Sequence, residues 1–468
     1  MRLSRLIAPE LRVLLAENPD AVLDVLDEIH PEDLADFIHE ADDEHAAELL
    51  TRLPPEYAAQ VFERLDESRR EVLTERIGVA RAATLVVQMG ADDRVDFFSQ
   101  LPPKVGASLL EQVGRVDPEV AEDLEALAKW PETSAGGLMT TDYISIAPGL
   151  YLQDAIDEIR RRGDRVETVD SIFVVGPTEE LLGVLPLRAL LLGEPGERIG
   201  EVMIHNVISV RPELDQEEAA RKLAKYDFYS MPVVNQEGKL LGVITADDIL
   251  DVLTEEQTED VQKMGALQPM TAGYFDTTAR LLFQKRAPWL VVLFIGEFFS
   301  GSVMRANDKV LAAIGHLSYY VPLLASAGGN SGSQSSTLVI RGLATGDIRS
   351  SDWLRVFRRE LGQGLSLGLT LAFFGFLRAT TSGDRGAFAV LIAVTVVGLV
   401  VIGCVVGAML PIALHRVGLD PATTSTPFIA TLIDALGIFL YLSLARVILA
   451  DVLARAAATA AGTTLGGG

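Results

Sequence analysis

The segments SIFVVGPTEELLGVLPLRALL (residues 171–191) and SMPVVNQEGKLLGVITADDIL (residues 230–250) repeat one pattern at an offset of 59 residues. Both contain the string LLGV, which begins at Leu181 in the first copy and at Leu240 in the second. Short β-branched runs separated by polar turns predict strands, and a helical pattern follows each pair of runs. The chain therefore contains a duplicated β-α-β-β-α unit over residues 138–254.

The duplicated unit resembles a tandem pair of CBS domains, one over 138–200 and the other over 201–254. Many such pairs bind adenosine nucleotides through the Thr and the Asp of a G-x-x-T-x-x-D motif. The second copy has both residues, as Thr245 and Asp248, whereas the first copy has neither. The resemblance implies at most one site for ATP or another adenosine nucleotide in each chain. The alternative is that Thr245 only caps the helix that follows it.

On the N-terminal side of this unit, a helical pattern recurs about every 12 residues. Most copies begin with Pro or an acidic residue, which suit the first turn of a helix, and continue with apolar residues at helical spacing. One short helix cannot bury its own apolar face, so neighbouring helices must stack. We expect an acidic, all-α, superhelical domain over 1–130. The copies begin at Pro31, Asp43, Pro55, Glu67, Val79, Asp92 and Pro103.

Charge and hydropathy divide the 468-residue chain near residue 280. The net charge is −25, yet the mean hydropathy is +0.27. Residues 281–468 carry a net charge of +5, and residues 1–280 carry −30. An acidic half joined to an apolar half excludes a single globular domain, and the negative half argues against nucleic acid as a partner. The single cysteine, Cys404, excludes a disulfide framework and a thiolate metal site.

Five apolar stretches follow the acidic half. Most reach the roughly 20 residues that a helix needs to span a bilayer. The second is shorter, and it qualifies if the small polar run after it faces protein or water. We expect a connecting (plug) helix over 255–280, an all-α membrane domain of five helices over 281–455 and a flexible tail over 456–468. The stretches are 287–304, 310–324, 361–377, 387–414 and 427–449.

Arginines indicate the orientation of these spans. The loop 341–359 holds five arginines, and the loop 378–386 holds two. Basic residues favour the cytoplasmic side, which places the N-terminal half in the cytoplasm as well, because two spans separate it from the first loop. The first residues, with Arg2 and Arg5, lack the long apolar core of a secretory signal. We expect a multi-pass protein of the cell (inner) membrane with cytoplasmic N-terminal and CBS domains.

The last span, in TPFIATLIDALGIFLYL (residues 426–442), contains the carboxylate of Asp434. Burying a carboxylate in a membrane costs about 2.5–3.5 kcal/mol on insertion scales, so this group is expected to face water or a cation. The alternative is a buried Asp that pairs with an Arg or is capped by hydroxyls such as that of Thr431. Glu297, midway along the first span, receives no role.

The second span runs into PLLASAGGNSGSQSSTLVIRGLATGD (residues 322–347), which is rich in small and polar residues. Its amides and hydroxyls can hydrogen-bond the water shell of an ion, although small residues also allow a tight helix crossing. One carboxylate with neutral oxygen donors suits Mg²⁺, which prefers oxygen and keeps its waters. A path for Zn²⁺ or Cu⁺ would call for clusters of His, Cys or Met.

Four strings of the apolar half resemble the MgtE family of magnesium transporters, and the resemblance covers essentially the whole chain. It implies a homodimer with a pore on the two-fold axis, lined mainly by the second and fifth spans. The strings are VPLLASAGGNSGSQSSTLVIRGLATGD (321–347), RRELGQGLSLGLT (358–370), GAMLPIALHRVGLDPA (407–422) and IATLIDALGIFLYL (429–442).

The resemblance assigns the pore residues. It implies that Asp434 holds hydrated Mg²⁺ with the Ala430 carbonyl nearby, and that Gly328, Gly329 and Asn330 belong to the pore-lining signature. Two positions depart from the pattern, because the family frequently has Asn there. A hydroxyl is shorter than an amide, so the affinity or selectivity for the ion is expected to differ at these two positions, Ser333 and Thr426.

The resemblance further implies closure of the pore by cytosolic Mg²⁺. Like charges at i,i+4, as in Asp92/Asp96 and Glu255/Glu259, repel on one helix face, and Mg²⁺ between two such faces would draw domains together. A further ion bridge is implied at Asp420, near the connecting helix. The alternative is that the acids only keep the domain soluble. The implied regulatory ligands are Asp92, Asp96, Asp247, Asp248, Asp251, Glu255, Glu256, Glu259, Asp260 and Asp420.

Two other functions compete with a Mg²⁺-gated magnesium channel. One is transport of another divalent cation, such as Mn²⁺, Co²⁺ or Ni²⁺. The other is a CBS nucleotide sensor that the membrane helices merely anchor, which would need neither Asp434 nor Asn330. An enzyme is not expected, because the sequence has no nucleophile–base pair, no Walker loop and no catalytic metal motif.

Overall fold

A computed structural model describes residues 29–270, 273–275, 277–384 and 386–455. The predicted tail over 456–468 and the first part of the predicted N-terminal domain lie outside the described residues. The contacts divide the chain into two compact units, Met1–Thr254 and Glu255–Gly468. Each unit has hydrophobic cores of its own.

The N-terminal part of the first unit consists of short stacked helices. Each of the seven repeats in the sequence coincides with one helix, which confirms the all-α domain, and α8 adds one more. Pro occupies the first turn of α1, α3, α7 and α8, and Asp42 caps α2 by accepting a hydrogen bond from the His45 amide at 3.1 Å. The helices are α1 (Pro31–Glu40), α2 (Asp43–Arg52), α3 (Pro55–Phe62), α4 (Glu67–Ile77), α5 (Val79–Val86), α6 (Ala91–Gln100), α7 (Pro103–Val116) and α8 (Pro118–Leu127).

The first copy of the duplicated unit forms a three-stranded sheet in the order β1-β2-β3. β1 runs parallel to β2, and β2 runs antiparallel to β3. This arrangement confirms the predicted β-α-β-β-α order. Its elements are β1 (Ser145–Ile146), α9 (Leu152–Arg162), β2 (Ser171–Val175), β3 (Leu181–Pro186), α10 (Leu187–Leu192) and α11 (Ile199–Val202).

The second copy repeats this arrangement with a reduced first strand. Where that strand is expected, Val210 forms an isolated parallel bridge with Val233. The β4–β5 turn has Gly238 at φ 83°, and the equivalent turn of the first copy has Glu179 at φ 64°, a left-handed conformation that favours glycine. The elements are α12 (Gln216–Tyr226), β4 (Ser230–Val234), β5 (Leu240–Thr245) and α13 (Ala246–Met264).

The connecting segment differs from the expected separate helix over 255–280. The last helix of the second copy continues without a break to Met264, because no Pro or Gly interrupts residues 246–264. The described residues 265–270 are not helical, and Ala266 has a positive φ of 60°. The acidic residues 255–260 therefore lie on the same helix as Asp247 and Asp248.

All the long elements that the structure describes in the second unit are helices. Four of its described helices are long and apolar enough to cross a membrane: Ala279–Ala306, Ser350–Thr381, Ala387–Arg416 and Thr426–Ile448. A fifth helix, Leu317–Ala344, has 28 residues and carries the small polar run. Its role as a span stays a prediction. The helices are α14 (Ala279–Ala306), α15 (Asp308–Ala313), α16 (Leu317–Ala344), α17 (Trp353–Thr381), α18 (Ala387–Arg416) and α19 (Thr426–Ile448).

The second predicted span begins later than the sequence suggested. Val310 belongs to the short helix α15, and Ile314 leaves the helical conformation with φ −133° and ψ 80°. The long helix starts at Leu317 and includes the whole polar run 325–338. The small residues are therefore inside a helix rather than after one.

Backbones of α16 and α18 approach each other closely at glycines. A Cβ atom at Gly403 would lie 2.5 Å from the Gly328 carbonyl oxygen, and one at Gly407 would lie 2.2 Å from the Gly332 carbonyl oxygen. No other residue type fits these positions without a shift of the backbone. One face of the small-residue run thus forms the tight helix crossing considered from the sequence.

Candidate functional site: a membrane carboxylate and an acidic cluster

Three of the predicted pore residues of α16 and α19 meet at Gly329. A Cβ atom at Gly329 would lie 3.4 Å from the Ala430 Cβ and 3.7 Å from the Asp434 Oδ1. Ala430 and Asp434 are four residues apart on α19 and therefore share one helix face. The absence of a side chain at Gly329 lets the backbone of α16 approach Ala430 and Asp434 closely.

Asp434 itself is half-buried and forms no hydrogen bond or ion pair with any residue that the structure describes. The alternative from the sequence, pairing with an Arg or capping by Thr431, is therefore not seen in the described chain. Thr431 instead packs its methyl group against α14, where a Cβ at Gly296 would lie 2.8 Å away. The carboxylate is left with both oxygens available.

The two residues that depart from the family pattern contact each other. The Ser333 Oγ donates a hydrogen bond to the Thr426 carbonyl oxygen at 3.4 Å. Asn330 is exposed on α16, and its amide nitrogen donates to the Ser326 Oγ at 3.2 Å. Gly328 faces elsewhere, because a Cβ there would lie 2.8 Å from Ile433 Cγ2 and would also meet Leu399.

In the first unit, carboxylates from separate segments converge around Gly90. A Cβ atom at Gly90 would lie 2.9 Å from the Asp92 Oδ1 and 3.4 Å from the nearest oxygens of both Asp93 and Glu167. The charges of Glu63, Asp247 and Asp248 also act on this group. We call these six residues the acidic cluster: Glu63, Asp92, Asp93, Glu167, Asp247 and Asp248.

Burial and mutual repulsion in the acidic cluster favour the protonated form of its carboxyl groups over the ionised form. Burial, followed by the charges of Asp92 and Glu63, raises the pKa of Asp93 to about 9. Burial, followed by the charge of Asp92, raises the pKa of Asp248 to about 8. The Asp92 Oδ1 is buried and has no hydrogen-bond partner among the described residues. The cluster is thus short of positive charge.

The sequence identified only part of this cluster. The predicted ligands Asp92, Asp247 and Asp248 belong to it, and Asp93 follows Asp92 in the same acidic stretch of the sequence. Glu63 lies at the end of α3 and Glu167 in the loop after α9, far from the others along the chain. No sequence pattern marks these two residues, because only folding brings their segments together.

Several other predicted ligands lie outside the acidic cluster. Asp96 and Asp251 are exposed, on α6 and α13 respectively. Glu255 and Glu256 lie midway along α13, one of them exposed and the other half-buried. Their role as ligands stays a prediction. Asp92 and Asp96 share a helix but differ in burial, and the charge of Asp96 also contributes to the raised pKa of Asp93.

A lysine occupies the position of the ion bridge that the resemblance implied at Asp420. The Lys263 Nζ donates to the Asp420 Oδ2 at 2.7 Å and also contacts the Glu259 carboxylate. Burial followed by the charge of Asp420 raises the pKa of the neighbouring Asp260 to about 6. The end of α13 is thus tied to the loop before α19 by an ammonium group.

The predicted nucleotide residues contact each other. The Thr245 Oγ1 donates to the Asp248 Oδ2 at 2.6 Å, and the Thr245 amide donates to the same oxygen at 3.3 Å. Thr245 ends β5, and Asp248 lies in the first turn of α13. This geometry fits a helix cap, and it also brings the two residues of the motif together.

Among the described residues, no group of three or more His, Cys, Asp or Glu side chains is arranged to hold a metal ion. Mg²⁺ usually keeps several waters and takes only one or two protein carboxylates directly. Both the acidic cluster and Asp434 offer carboxylates for that kind of binding, in which water bridges the remaining distance.

Comparison with protein families covers most of the chain. Residues 29–133 match the MgtE intracellular N domain, and residues 135–193 and 199–255 match the CBS domain. Residues 321–444 match MgtE, described as a divalent cation transporter. The matches follow the same order along the chain as the domains seen in the structure.

Known proteins resemble both parts of the chain. The magnesium transporter MgtE of Thermus thermophilus is 42% identical over 337 residues, which are 72% of this chain and 75% of that protein. The magnesium transporter MgtE of Bacillus subtilis is 32% identical over 322 residues, which are 69% of this chain and 71% of that protein.

Solved structures resemble the N-terminal half. The cytosolic domain of the Mg²⁺ channel MgtE in complex with ATP has a TM-score of 0.50 and 36% identity, covering 52% of this chain and 99% of that one. The soluble part of a magnesium transporter has a TM-score of 0.51 and 26% identity, covering 54% of this chain and 99% of that one.

Proposed function

Because this chain belongs to the MgtE family of magnesium transporters, we propose that it passes Mg²⁺ across the cell membrane through a pore formed by two copies. Cytosolic Mg²⁺ closes the pore by binding to the acidic cluster, and the helical and CBS domains lie in the cytoplasm. The observation that carries the proposal is Asp434, a carboxylate inside an apolar helix of 23 residues, without an ionic partner among the described residues.

The surroundings of Asp434 suit a hydrated cation. Inserting a carboxylate at mid-membrane costs about 2.5–3.5 kcal/mol, and a bound cation offsets this cost. Gly329 lets the backbone of α16 approach the carboxylate, and the neutral oxygens of α16 can accept hydrogen bonds from the waters of a bound ion. With one such carboxylate from each copy and water between it and the ion, the ion is held weakly enough to leave again, as conduction requires.

The exposure of α16 supports the two-copy pore. Asn330 and Gln334 are both exposed on the chain as a monomer. Polar side chains facing lipid are costly because the bilayer offers them no hydrogen bonds. A second copy placed over this face would turn them toward a shared water-filled path.

The acidic cluster supplies a means of sensing Mg²⁺. It joins the N-terminal helices to the second CBS copy, and its members repel one another when ionised. Mg²⁺ can replace the protons that the raised pKa values hold at neutral pH. Ion binding would therefore stabilise the arrangement in which these segments meet, whereas loss of the ion would favour their separation.

Helix α13 can carry this change toward the membrane half. Asp248 lies in its first turn, and Lys263, which binds Asp420, lies in its last turn. At 1.5 Å per residue, the 19-residue helix spans about 28 Å. Because the helix is continuous, a movement at the acidic cluster displaces the loop that precedes α19 and Asp434.

An adenosine nucleotide is a second proposed ligand of the cytoplasmic part. The pairing of Thr245 with Asp248 favours it, because both residues of the motif occupy one corner of the second CBS copy. A related cytosolic domain was crystallised with ATP. Since Asp248 also belongs to the acidic cluster, the nucleotide would alter the response to Mg²⁺.

Growth of a bacterial strain that lacks Mg²⁺ uptake tests the pore. The wild-type chain should restore growth at low Mg²⁺, and Asp434→Ala should not. Asp451→Ala, which changes an exposed acid beyond α19, is the matched control and should restore growth at equal membrane levels. Full rescue by Asp434→Ala contradicts the proposal. Uptake of Mn²⁺, Co²⁺ or Ni²⁺ in place of Mg²⁺ would favour the other-cation alternative, and no uptake at all would favour the anchored sensor.

Limited proteolysis of the full-length protein tests the gating. Millimolar Mg²⁺ should protect the segments around the acidic cluster from cleavage, and Asp92→Asn should reduce that protection. Glu125→Gln, which changes an exposed acid of α8, should keep it. Cleavage that does not change with Mg²⁺ would rule out closure by the ion.

A further inference from the structure

A recess lies beside the ends of α16 and α17, at the level where these helices leave the apolar part of the second unit. Arg341 lies in the last turn of α16, and Trp353 begins α17. Arg416 ends α18, with its guanidinium 5.6 Å from the centre of the Trp353 ring. Trp and Arg at helix ends mark the boundary between membrane and water. The recess therefore lies at the depth of lipid headgroups.

The inner wall of the recess is apolar. Its volume is about 420 Å³, and Leu338, Val339, Ile348 and Val356 line it. Ile348 is fixed in place because its amide donates to the Gly342 carbonyl oxygen at 2.8 Å, and a Cβ on that glycine would lie 2.6 Å from the Ile348 side chain. Leu338 is largely exposed on the outside of α16, so the apolar wall continues out of the recess along this helix.

The rim of the recess is charged with both signs. It includes Asp347, Asp352, Arg355, Arg359 and Glu360, a formal sum of −1. A simple anion would meet an excess of carboxylates here, and a hydrated cation would lose favourable contact with water at the apolar wall. The lining complements a ligand that carries both a positive and a negative group on an apolar body.

The charged groups are not equally available. Asp352 accepts from the Arg349 amide at 3.2 Å and pairs with Arg355 at 3.5 Å. Arg359 is exposed and forms no hydrogen bond or ion pair with the residues that the structure describes. It is therefore the guanidinium that can take a new anionic partner.

Two carboxylates retain a vacant oxygen. The Asp347 Oδ2 accepts from Thr345 at 3.2 Å, and the Glu360 Oε2 accepts from Ser335 at 2.6 Å. In each case the second oxygen has no hydrogen bond from the described residues. These oxygens can accept hydrogen bonds from an ammonium group, whereas a trimethylammonium group has no proton to donate.

We propose that this recess binds a membrane phospholipid whose headgroup carries a phosphate and a primary amine. The phosphate is held by Arg359, because guanidinium groups bind phosphate in a bidentate manner. The ammonium group is held by Asp347 and Glu360, and an acyl chain follows the apolar wall toward Leu338. Basic side chains between membrane helices bind lipid headgroups, and the carboxylates beside Arg359 here add selectivity for the amine. The inference rests on the membrane location of these helices and is independent of the ion that is carried.

Native mass spectrometry of the delipidated full-length protein in detergent tests this proposal. Phosphatidylethanolamine, phosphatidylcholine and phosphatidylglycerol with identical acyl chains are titrated separately. We expect phosphatidylethanolamine to bind about tenfold more tightly than either of the others. Equal binding of the three lipids would overturn the proposal.

Variants on one helix provide the matched comparison. Arg359→Gln should abolish the preference, while Arg358→Gln, which changes the adjacent exposed arginine outside the recess, should retain it. Asp347→Asn should reduce the preference for phosphatidylethanolamine over phosphatidylglycerol. Thermal melting of each variant checks that the fold is kept. If Arg359→Gln behaves like Arg358→Gln, the assignment is wrong.

A soluble competitor distinguishes a lipid from a free headgroup. Glycerophosphoethanolamine carries the same charges without acyl chains, and it should fail to displace the lipid at equal concentration because it cannot use the apolar wall. Complete displacement would contradict a lipid site. None of these measurements involves ion flux, so their failure and a failure of magnesium transport can be told apart.

Discussion

The acidic cluster and Asp434 hold carboxylates in opposite ways. In the cluster, six acids from distant segments crowd together, and burial with mutual repulsion raises the pKa values of Asp93 and Asp248. Asp434 is one carboxylate without a hydrogen bond or ion pair among the described residues, and Gly329 of the neighbouring helix packs beside it. Crowded carboxylates couple ion binding to the position of whole segments, whereas a single carboxylate can bind and release an ion without moving its surroundings. The first arrangement suits a sensor and the second suits a conduction path.

The largest effect should come from removing the charge of one carboxylate at a time, first at Asp434 and then at Asp248. Asp434→Asn keeps the size of the side chain and removes its charge, so Mg²⁺ flux in proteoliposomes should fall about a hundredfold, equivalent to about 2.7 kcal/mol. Asp248→Asn should leave the maximal flux intact and raise the Mg²⁺ concentration needed for closure. If both substitutions change the maximal flux alike, the division into sensor and path is wrong.

The stability of the membrane half should depend on close backbone contact between helices, whereas the stability of the cytoplasmic half should depend on charge. Gly407→Ala places a Cβ atom 2.2 Å from the Gly332 carbonyl oxygen, and we expect the free energy of unfolding to fall by about 2 kcal/mol. Gly362→Ala on α17 meets no atom within 4 Å, and it should be neutral or slightly stabilising. Denaturant unfolding in detergent measures both. Similar losses for the two variants would contradict this contrast.

The acidic cluster should make stability depend on pH. Because the pKa values of Asp93 and Asp248 are raised to about 9 and about 8, the folded state binds more protons than the unfolded state between about pH 4 and pH 9. Stability is therefore full at low pH and falls as the pH rises through this window.

Melting of the cytoplasmic part of the full-length protein checks this dependence. Without divalent ions, the melting temperature should drop by a few degrees from pH 6 to pH 9, and millimolar Mg²⁺ should restore it. Asp93→Asn should flatten the curve, and Glu125→Gln should not. A melting temperature that rises with pH in the absence of Mg²⁺ would show the sign to be wrong.

The smallest effect should come from the ammonium bridge at the end of α13. Lys263 and Asp420 are both partly exposed, so their coupling energy in a double-mutant cycle should be about 1 kcal/mol or less. The cycle combines Lys263→Met with Asp420→Asn and follows unfolding in detergent. The same variants should also weaken the Mg²⁺ dependence of flux, since α13 would lose its hold on the loop before α19. A coupling energy of zero would contradict a stabilising interaction between Lys263 and Asp420.

Local patterns in the sequence were sufficient to predict most elements. The Pro and Asp residues that start the N-terminal repeats act within one helical turn, so each repeat coincides with one helix. The duplicated strands were equally clear, because alternation and turn residues recur at a fixed offset. The exception is the first strand of the second copy, where a single bridge at Val210 replaces a strand.

Features that depend on distant contacts escaped prediction. The sequence placed Asp92, Asp247 and Asp248 together by family resemblance, but nothing in it marks Glu63 or Glu167 as their neighbours. The boundary expected near residue 254 followed the repeat, although no helix-breaking residue stands there, and α13 continues through it. The predicted start of the second span is too early because Val310 belongs to the same apolar run. The helix break at Ile314 lies in the backbone angles of an apolar residue, so hydropathy does not reveal it.

The close approach of α16 and α18 has a mechanical consequence. Where side chains separate two helices, they can change rotamer and let one helix slide along the other. The backbone at Gly403 and Gly407 packs directly against the carbonyl oxygens of Gly328 and Gly332, and no side chain lies between them that could change rotamer. We therefore expect these two helices to move as one rigid unit.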